Sequence, residues 1–295
     1  MKMKKKFGEC VFDMSNGCFM CIMMAITIYP MLYVVFASFS DPVKFVSHQG
    51  LLYKPVGFSL DSYDVILKYP MLLRGYLNTI FVVVVGVLFN ILATVVFAYF
   101  ISNKDIMLRK LAAKFMIVTM FFSGGLIPVY LTVKAVGLLD SIWVLIIPGL
   151  VNATNVIIMR TAFDGIPDSL SDAACIDGAN DFHVLFQVFV PVSISTIAVL
   201  VLYYGVRHWN SWFAASIYLR NREKFPLQLI LREILLQSGS EGLSGSGGLS
   251  TNDLPQLAET IKYSTIVVAT LPILMLYPFL QKYFVKGVMI GAVKG

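Results

Sequence analysis

GYLNTIFVVVVGVLFNILATVVFAYFI, residues 75–101, contains no charged side chain. A transmembrane helix needs about 20 apolar residues, because each residue adds about 1.5 Å and the hydrocarbon core of a bilayer is about 30 Å thick. This stretch is long enough to cross a membrane. It must do so as a helix, because backbone exposed to lipid has to satisfy its hydrogen bonds internally.

Five further segments are long and apolar enough to cross a membrane. The chain is 58% hydrophobic and only 14% charged, whereas a soluble domain carries about a quarter charged residues. The predicted fold class is all-α, a polytopic membrane protein with one transmembrane domain over residues 1–295. Its six transmembrane helices are predicted at about 17–39, 75–101, 111–133, 141–160, 192–215 and 261–284. Kinks are expected where prolines fall inside these spans, at Pro30, Pro128, Pro148 and Pro272.

The positions of basic residues predict the orientation. Short cytoplasmic loops are enriched in Lys and Arg. Such residues occur at the N-terminus, between spans two and three, and after span six: Lys2, Lys4, Lys5, Lys6, Lys104, Arg109, Lys110, Lys114, Lys282 and Lys286. Both termini are therefore predicted to be cytoplasmic, with loops 40–74 and 216–260 outside. Because Lys and Arg are otherwise dispersed, with no basic-aromatic stripe, the net charge of +6 does not indicate a nucleic-acid partner.

A polar insert, DGIPDSLSDAACIDGANDFH at residues 164–183, lies on the predicted cytoplasmic side between spans four and five. Pro167 with Asp168 can open a short helix, and Ser171 or Asp172 can cap the next one. Residues 177–178 form an Asp-Gly turn signal. We therefore expect two short helices that meet at a glycine.

The same insert has the composition of a docking element. Small residues at 173, 174, 178 and 179 allow another protein to approach closely, and Phe182 and Phe186 can fill a hydrophobic groove. On these grounds alone, a plain loop built from ordinary turn residues stays open as an alternative.

The motif Asp172-Ala-Ala-x-x-Asp-Gly-Ala179, followed by Phe186 and Val190-Pro191, resembles the EAA loop of ABC importer permeases. That loop begins with Glu-Ala-Ala, has its glycine six residues after the acid, and closes with Leu-Pro. Here Asp172 replaces the glutamate and Val190 replaces the leucine. Ser195 stands where many members of the family have a second proline.

The resemblance covers most of the chain. It includes the stretches YLNTI at 76–80, WNSWF at 209–213, and YPFLQKYFVKGVMIGAVKG at 277–295. These are similar to the smaller permease subunit of maltose-type importers, and the ending is most similar to the branch for complex oligosaccharides such as alginate.

The resemblance implies a bacterial cytoplasmic-membrane importer for a sugar or oligosaccharide. It also implies the permease fold of type I ABC importers, with residues 164–191 as the cytoplasmic coupling loop. The partners it implies are a second permease subunit, two cytoplasmic ATPase subunits, an extracytoplasmic solute-binding protein, the sugar and membrane lipid. The chain has no Gly-x-x-x-x-Gly-Lys-Ser/Thr sequence, so ATP and Mg²⁺ are expected on the partner ATPases, with no catalytic residue, metal or cofactor here. The residues it assigns to ATPase docking are Asp172, Ala173, Ala174, Asp177, Gly178, Ala179, Phe182, Phe186 and Pro191.

Polar and aromatic residues cluster in the second half of span five. Aromatic faces beside hydrogen-bond donors suit a sugar ring, and intramembrane ionisable groups usually face a cavity or the bundle interior. The substrate-path candidates are Tyr203, Tyr204, Arg207, His208, Trp209, Asn210 and Trp212, with Asn78 on span two. The alternative is an interfacial aromatic belt with a snorkelling arginine. Interhelical hydrogen bonds are the favoured interpretation for Asn90, Asn152 and Asn155.

Other functions stay open at this point. The first is a related permease for peptide or phosphate. An intramembrane enzyme needs a catalytic pair at membrane depth, and His208 has no acidic partner in a neighbouring span. A receptor is disfavoured because the predicted cytoplasmic side lacks a large domain. The resemblance also predicts that the tail 287–295 contacts the ATPases, with a frayed chain end as the alternative. It further predicts that loop 216–260 contacts the binding protein, with a plain linker as the alternative.

Overall fold

The computed structural model describes residues 7–237, 259–275 and 278, and all regular structure within them is helical apart from one isolated bridge between Ser40 and Phe58. The α-helices are α1 Phe7–Ser38, α2 Pro42–Ser47, α3 Asp61–Leu67, α4 Pro70–Ser102, α5 Arg109–Phe121, α6 Leu126–Ala135, α7 Ala153–Phe163, α8 Asp168–Ile176, α9 Asp181–His183, α10 Val190–Val192, α11 Ile194–Trp209, α12 Trp212–Tyr218, α13 Leu227–Gln237 and α14 at 259–275. Short 3₁₀ helices occupy Ile142–Leu145, Ile147–Gly149 and Arg222–Lys224, and a π-helix occupies Val184–Phe189.

One compact unit comprises the described residues up to Tyr69 and from Glu233 to Thr270. Inside it, α14 packs on the end of α1, where Ser264 Oγ donates to the Ser38 carbonyl oxygen at 3.2 Å. Many apolar side chains of α1 are exposed, and Phe12 and Met31 are about 70% exposed, at 69% and 72%. An apolar helix surface of this kind suits contact with lipid.

The second unit contains Pro70–Arg232 and is built around α4. Helices α7 and α11 both pack along α4, and their shared core is Val95, Ala98, Ile101, Val156, Met159, Phe163, Ile166, Leu185, Ile197 and Leu200. Gly86 allows α11 to approach closely, because a Cβ there would lie 2.7 Å from His208 Nε2. Small residues at such crossings are the usual way in which membrane helices pack.

The fold class predicted from the sequence is confirmed, but six spans are not. Among the described residues, two helices are long and apolar enough to cross a membrane by themselves, at Val11–Ser38 and Pro70–Ser102. Three bent helix pairs bring the number to five if each pair is one span. The predicted sixth span, 261–284, extends beyond the described residues, as do the Gly/Ser stretch 238–250 and the tail 287–295. The single transmembrane domain stays a prediction.

The predicted third span, 111–133, is not one continuous helix. Its two halves, α5 and α6, meet at 118° across residues 122–125. Gly125 adopts φ +83°, a left-handed conformation that glycine accepts easily. Pro128 lies in the first turn of α6, where its missing N–H breaks no intrahelical bond. The break therefore lies at the Gly124-Gly125 pair, and the kink predicted at Pro128 is wrong in position.

The fourth and fifth predicted spans are also interrupted. Helical segments Ile142–Gly149 and Ala153–Phe163 meet at 51°, close to Pro148, where a kink was expected. Segments Asp181–Val192 and Ile194–Trp209 meet at 85° immediately after Pro191. The predicted span 192–215 thus consists of α11, which ends at Trp209, and the start of the separate helix α12.

Candidate functional site

The polar insert forms a short helix with a well-defined end. Helix α8 begins after Pro167, and Asp168 in its first turn has a favourable interaction with the helix dipole. At its end, the Gly178 N–H donates to Cys175 O and the Ala179 N–H to Ala174 O, each at 3.0 Å. This bonding pattern is a Schellman motif, which requires the left-handed φ of +85° that Gly178 adopts.

The second short helix starts at a different residue from the one predicted. Ser171 and Asp172 lie inside α8, whereas α9 is capped by Asn180, whose Oδ1 accepts from the His183 N–H at 2.9 Å. Asn180 lies directly after the turn, so its side chain reaches the free N–H groups of α9. Two short helices do meet at Gly178, as the sequence predicted.

The insert presents apolar side chains outward. Ile176 is 86% exposed and Phe182 is 69% exposed, and Leu170 and Phe186 are also exposed. Asp172, Ala173, Asp177 and Gly178 are exposed as well, whereas Ala174 and Ala179 are half-buried. We call the set Leu170, Ile176, Phe182 and Phe186 the apolar docking face, after the docking role that the sequence predicts for this insert. Large apolar side chains on a short, well-capped helix are suited to filling a groove on another protein.

The insert is attached to the core of its unit. Phe189, at the end of the π-helix, makes edge contacts with Tyr99 of α4 and Phe163 of α7, with ring centroids 5.2 Å apart in both cases. Lys104 forms an ion pair with Asp168 at the start of α8. These contacts attach the insert to α4 and α7.

A cavity of about 460 Å³ separates α8 from the ends of α4 and α7. Asp172, the acid of the motif, lines it. The other charged side chains that line it have both signs: Lys104, Asp105, Arg109, Arg160, Asp164 and Asp168. This mixture gives the cavity no strong preference for an anion or a cation.

A buried hydrogen-bond network joins three helical segments at membrane depth. Asn90 Nδ2 donates to the carbonyl oxygens of Gly149 and Leu150 at 2.9 and 2.7 Å, and Asn90 Oδ1 lies 2.7 Å from His208 Nε2. Because carbonyl oxygens only accept, the amide nitrogen must face them, and His208 Nε2 must donate to Oδ1. The two carbonyls lie at the break next to Pro148, where regular helical pairing is lost.

Three of the predicted substrate-path residues lie inside this unit and not on an open surface. Tyr204, His208 and Trp209 are buried, and the hydroxyl of Tyr204 hydrogen-bonds Thr94 Oγ1 at 2.7 Å. Trp209 packs edge-on against Tyr76. These side chains hold neighbouring helices together. The sequence predicted that role for Asn90, whereas it made Tyr204, His208 and Trp209 candidates for the sugar path.

Two other candidates hold the loop that is predicted to face outward. Asn78 Nδ2 donates to the carbonyl oxygens of Glu223 and Phe225 at 2.7 and 3.0 Å. The Trp212 ring lies 3.6 Å from Cζ of Arg232, which is a cation–π contact.

Asn152 caps α7, accepting from the Asn155 N–H at 3.1 Å. Tyr203, Arg207 and Asn210 remain exposed.

Asp140 is a residue whose role the sequence did not reveal. From the sequence, Asp140 and Lys134 look like a charged pair in a solvated turn between spans three and four. In the structure, the Asp140 carboxylate accepts from the N–H groups of Arg220 and Asn221, each at 3.0 Å, and from Lys224 Nζ. It is the one non-glycine residue with positive φ, +53°, among the described residues. In the sequence, Asp140 is an aspartate shortly after the turn residue Gly137. That local pattern does not indicate a partner 80 residues away.

The Asp140 contacts predict a pH dependence. The N–H groups of Asn221 and Arg220, with Lys224, lower the pKa of Asp140 from 3.8 to about 2. Because the folded pKa is depressed, the stabilisation is complete above pH 3.8 and is lost as the pH falls through about 2. We expect amide exchange at Arg220 and Asn221 to stay slow at pH 4, where an ordinary aspartate is about half protonated.

Two variants separate charge from backbone conformation in this measurement. Asp140→Asn keeps a side chain that tolerates positive φ but loses the ionic contacts, whereas Asp140→Ala loses both. At pH 7, the protection of the Arg220 and Asn221 amides, corrected for intrinsic exchange rates, is expected to be highest in wild type, lower in Asp140→Asn and lowest in Asp140→Ala. Equal protection in all three proteins is the result that contradicts a clamp at Asp140.

Comparison with known proteins places the chain in a family. No family model matches it. A bacterial ABC transporter involved in the import of the acidic polysaccharide alginate has a crystal structure that superposes with a TM-score of 0.86 and 29% identity, covering 96% of this chain and 100% of the other. The polygalacturonan/rhamnogalacturonan transport system permease protein YtcP of Bacillus subtilis (strain 168) is 39% identical over 97% of this chain and 99% of its own length. The chain belongs to the carbohydrate ABC importer permeases. Protein LplC of the same organism is 38% identical to this permease, over 97% of this chain and 95% of the length of LplC.

Membership of the family settles the broad function. The permease is a multi-pass membrane protein of the bacterial inner membrane, and it is a transport subunit. The resemblance to carbohydrate permeases of the maltose type, inferred from the EAA-like loop together with the stretches at 76–80, 209–213 and 277–295, is confirmed. No group of three or more His, Cys, Asp or Glu side chains suited to a metal occurs in the part of the chain that the structure describes. The expectations that the chain has no catalytic residue, metal or cofactor stay predictions.

Proposed function

We propose that this permease carries an oligosaccharide across the membrane in an ATP-driven, binding-protein-dependent importer. Its partners are a second permease subunit, two cytoplasmic ATPase subunits that hold ATP and Mg²⁺, and an extracytoplasmic solute-binding protein. The observation that carries the proposal is the apolar docking face on α8, α9 and the π-helix, attached to α4 and α7 through Phe189.

The names of the relatives support a saccharide over peptide or phosphate. The relative with 39% identity is named for polygalacturonan and rhamnogalacturonan, and the structural neighbour imports alginate. Other relatives are named for arabinooligosaccharides, lactose and galactooligosaccharides. These substrates differ in length and charge, and all are carbohydrates.

The loop from Asp172 to Phe186 is the proposed link between ATPase and transport. ATP-driven closure of the two ATPases draws the apolar docking face with it. The ion pair of Lys104 with Asp168 and the contacts of Phe189 then move the cytoplasmic ends of α4 and α7. ATP in this account shifts a two-state equilibrium between inward-open and outward-open arrangements, because it favours the closed ATPase dimer.

The proposed orientation places α8 and both termini in the cytoplasm. The Asp140 clamp and the loop after α12 then face outward, where the solute-binding protein delivers sugar. The proposed sugar path runs along the exposed face of α11 that carries Tyr203, Arg207 and Asn210, spaced four and three residues apart.

Substitution at Gly178 tests the coupling role. A Cβ at Gly178 has no neighbour within 4 Å in this chain, but φ is +85°. Gly178→Val forces a β-branched residue into a left-handed conformation, at a cost of roughly 1–2 kcal/mol, and adds bulk where the ATPase docks. We expect uptake in proteoliposomes to fall by about fivefold or more while ATP hydrolysis continues, or the ATPase to be lost on purification.

Gly178→Asn is the matched control, because asparagine tolerates the left-handed conformation and is smaller at Cβ than valine. It is expected to retain more uptake than the valine variant, with both variants inserting into the membrane normally. Unchanged uptake by Gly178→Val is the outcome that overturns the assignment of this loop to coupling.

A further inference from the structure

Arg207 places a cation deep in the membrane-spanning part of the chain. Its Nη1 lies 3.4 Å from the Gly149 carbonyl oxygen, the same oxygen that accepts from Asn90 Nδ2. Asn90 lies 12 residues before the end of α4 at Ser102 and 20 residues after its start at Pro70. At 1.5 Å per residue, Asn90 is about 18 Å from one end of α4 and about 30 Å from the other. Both distances exceed half the thickness of a hydrocarbon core, which is about 30 Å, so Asn90 and its contacts lie deep in the membrane.

This depth decides between the two interpretations of Arg207. A snorkelling arginine holds its guanidinium at the interface. Arg207 itself lies in the last turn of α11, so the position of its guanidinium decides the question. The Arg207 guanidinium instead contacts the break next to Pro148, level with the middle of α4. The side chain is exposed, and no carboxylate lies within 4 Å of its guanidinium among residues 7–237, 259–275 and 278.

An exposed guanidinium at this depth, with no carboxylate partner in the described part of the chain, is unfavourable against lipid, so its face has to meet water, a ligand or another subunit. Tyr203 and Asn210 lie on the same helical face, one turn before and one turn after Arg207, and both are exposed. The face therefore combines an aromatic ring, a cation and an amide, which are groups that bind a sugar carrying a negative charge.

We infer that Arg207 binds a carboxylate of the transported molecule, and that the substrate is an acidic oligosaccharide built from uronic acids. This inference rests on the proposed function, because it assumes that the face of α11 lines the sugar path. The planar guanidinium presents parallel N–H donors that match the two oxygens of a carboxylate. The Gly149 carbonyl oxygen orients the group from the side of its own chain.

The test measures binding to the assembled importer in nanodiscs, without the solute-binding protein, so that the permease site alone is probed. The probes are a radiolabelled galacturonic acid trisaccharide and its carboxyl-reduced, neutral counterpart. Arg207→Gln is expected to weaken binding of the acidic trisaccharide by roughly tenfold to a hundredfold, as expected for the loss of a hydrogen bond between charged groups. Binding of the neutral trisaccharide is expected to change by less than about threefold.

Three further variants sharpen the test. Arg207→Lys keeps the charge and is expected to retain more acidic-trisaccharide affinity than Arg207→Gln. Gly149→Ala places a Cβ against the Arg207 guanidinium and is expected to weaken acidic binding without removing the cation. Lys134→Gln removes an equal charge from an exposed position after span three and is expected to leave both affinities unchanged.

The remaining outcomes overturn the inference. Equal loss of acidic and neutral binding in Arg207→Gln shows that the arginine pairs with a carboxylate of the second permease or has a structural role. A wild-type importer that transports saccharide but does not prefer the acidic trisaccharide excludes an acidic substrate. A wild-type importer that transports no saccharide refutes the proposed function itself, and the inference with it.

Discussion

Replacing Ile176 by Glu is expected to reduce ATP-driven sugar uptake by more than tenfold and to release the ATPase from the purified importer. Ile176 is 86% exposed at the end of α8, so the change costs the isolated permease little. In the assembled importer the same position is proposed to be covered by the ATPase. A buried carboxylate without a partner then weakens assembly by about 2–4 kcal/mol, the usual range for an interface hot spot.

Met107→Glu is the matched control. Met107 is 95% exposed, lies between α4 and α5 on the side predicted to be cytoplasmic, and is outside the apolar docking face. Uptake and ATPase recovery should match wild type in this variant. The measurement is the amount of ATPase that copurifies in detergent, followed by uptake in proteoliposomes. If Ile176→Glu keeps both at the wild-type level, α8 is not the ATPase contact.

Replacing Asn90 by Leu is expected to destabilise the permease by about 2–4 kcal/mol and to lower its yield from membranes. The side chain volume is nearly kept, but the carbonyl oxygens of Gly149 and Leu150 and the Nε2–H of His208 lose their partner. Each unsatisfied buried group costs about 1–3 kcal/mol in water-soluble proteins, with smaller values measured between membrane helices. The apparent melting temperature in nanodiscs, followed by tryptophan fluorescence, reports the loss.

Two variants frame this measurement. His208→Gln retains an N–H donor near the position of Nε2 and is expected to be less harmful than Asn90→Leu. Asn16→Leu makes the same chemical change at an exposed site on α1 and should leave the melting temperature unchanged. A melting temperature for Asn90→Leu equal to that of wild type shows that the network does not stabilise the helix crossing.

The sequence was sufficient for features that depend on local residues. Continuous apolar runs gave the membrane class and the long helix α4, because crossing a bilayer constrains length and polarity within one segment. The turn at Gly178 was predicted for the same reason, since its left-handed φ depends on neighbours only a few residues away. The EAA-like motif gave the family because its spacing lies within one loop.

Features that depend on distant residues were missed. His208 and Asn90 are 118 positions apart, so composition alone did not distinguish a buried network from a sugar path. The same limit applies to Asp140, whose partners lie in a loop about 80 positions away. The bend between α5 and α6 is a different kind of miss, because it lies at the local Gly124-Gly125 pair, and a window average of hydropathy does not detect a break in the helix.

Helix α4 makes contacts near both of its ends, and this has a mechanical consequence. Near one end, Tyr99 donates to Asp181 of the insert, and near the other Thr79 Oγ1 accepts from the Leu227 N–H at 2.8 Å. A helix of 33 residues is about 50 Å long and resists axial compression. Under the proposed coupling, a load applied to α8 would reach the loop that carries Leu227 through one stiff rod, so both ends of α4 would respond together without any intermediate refolding.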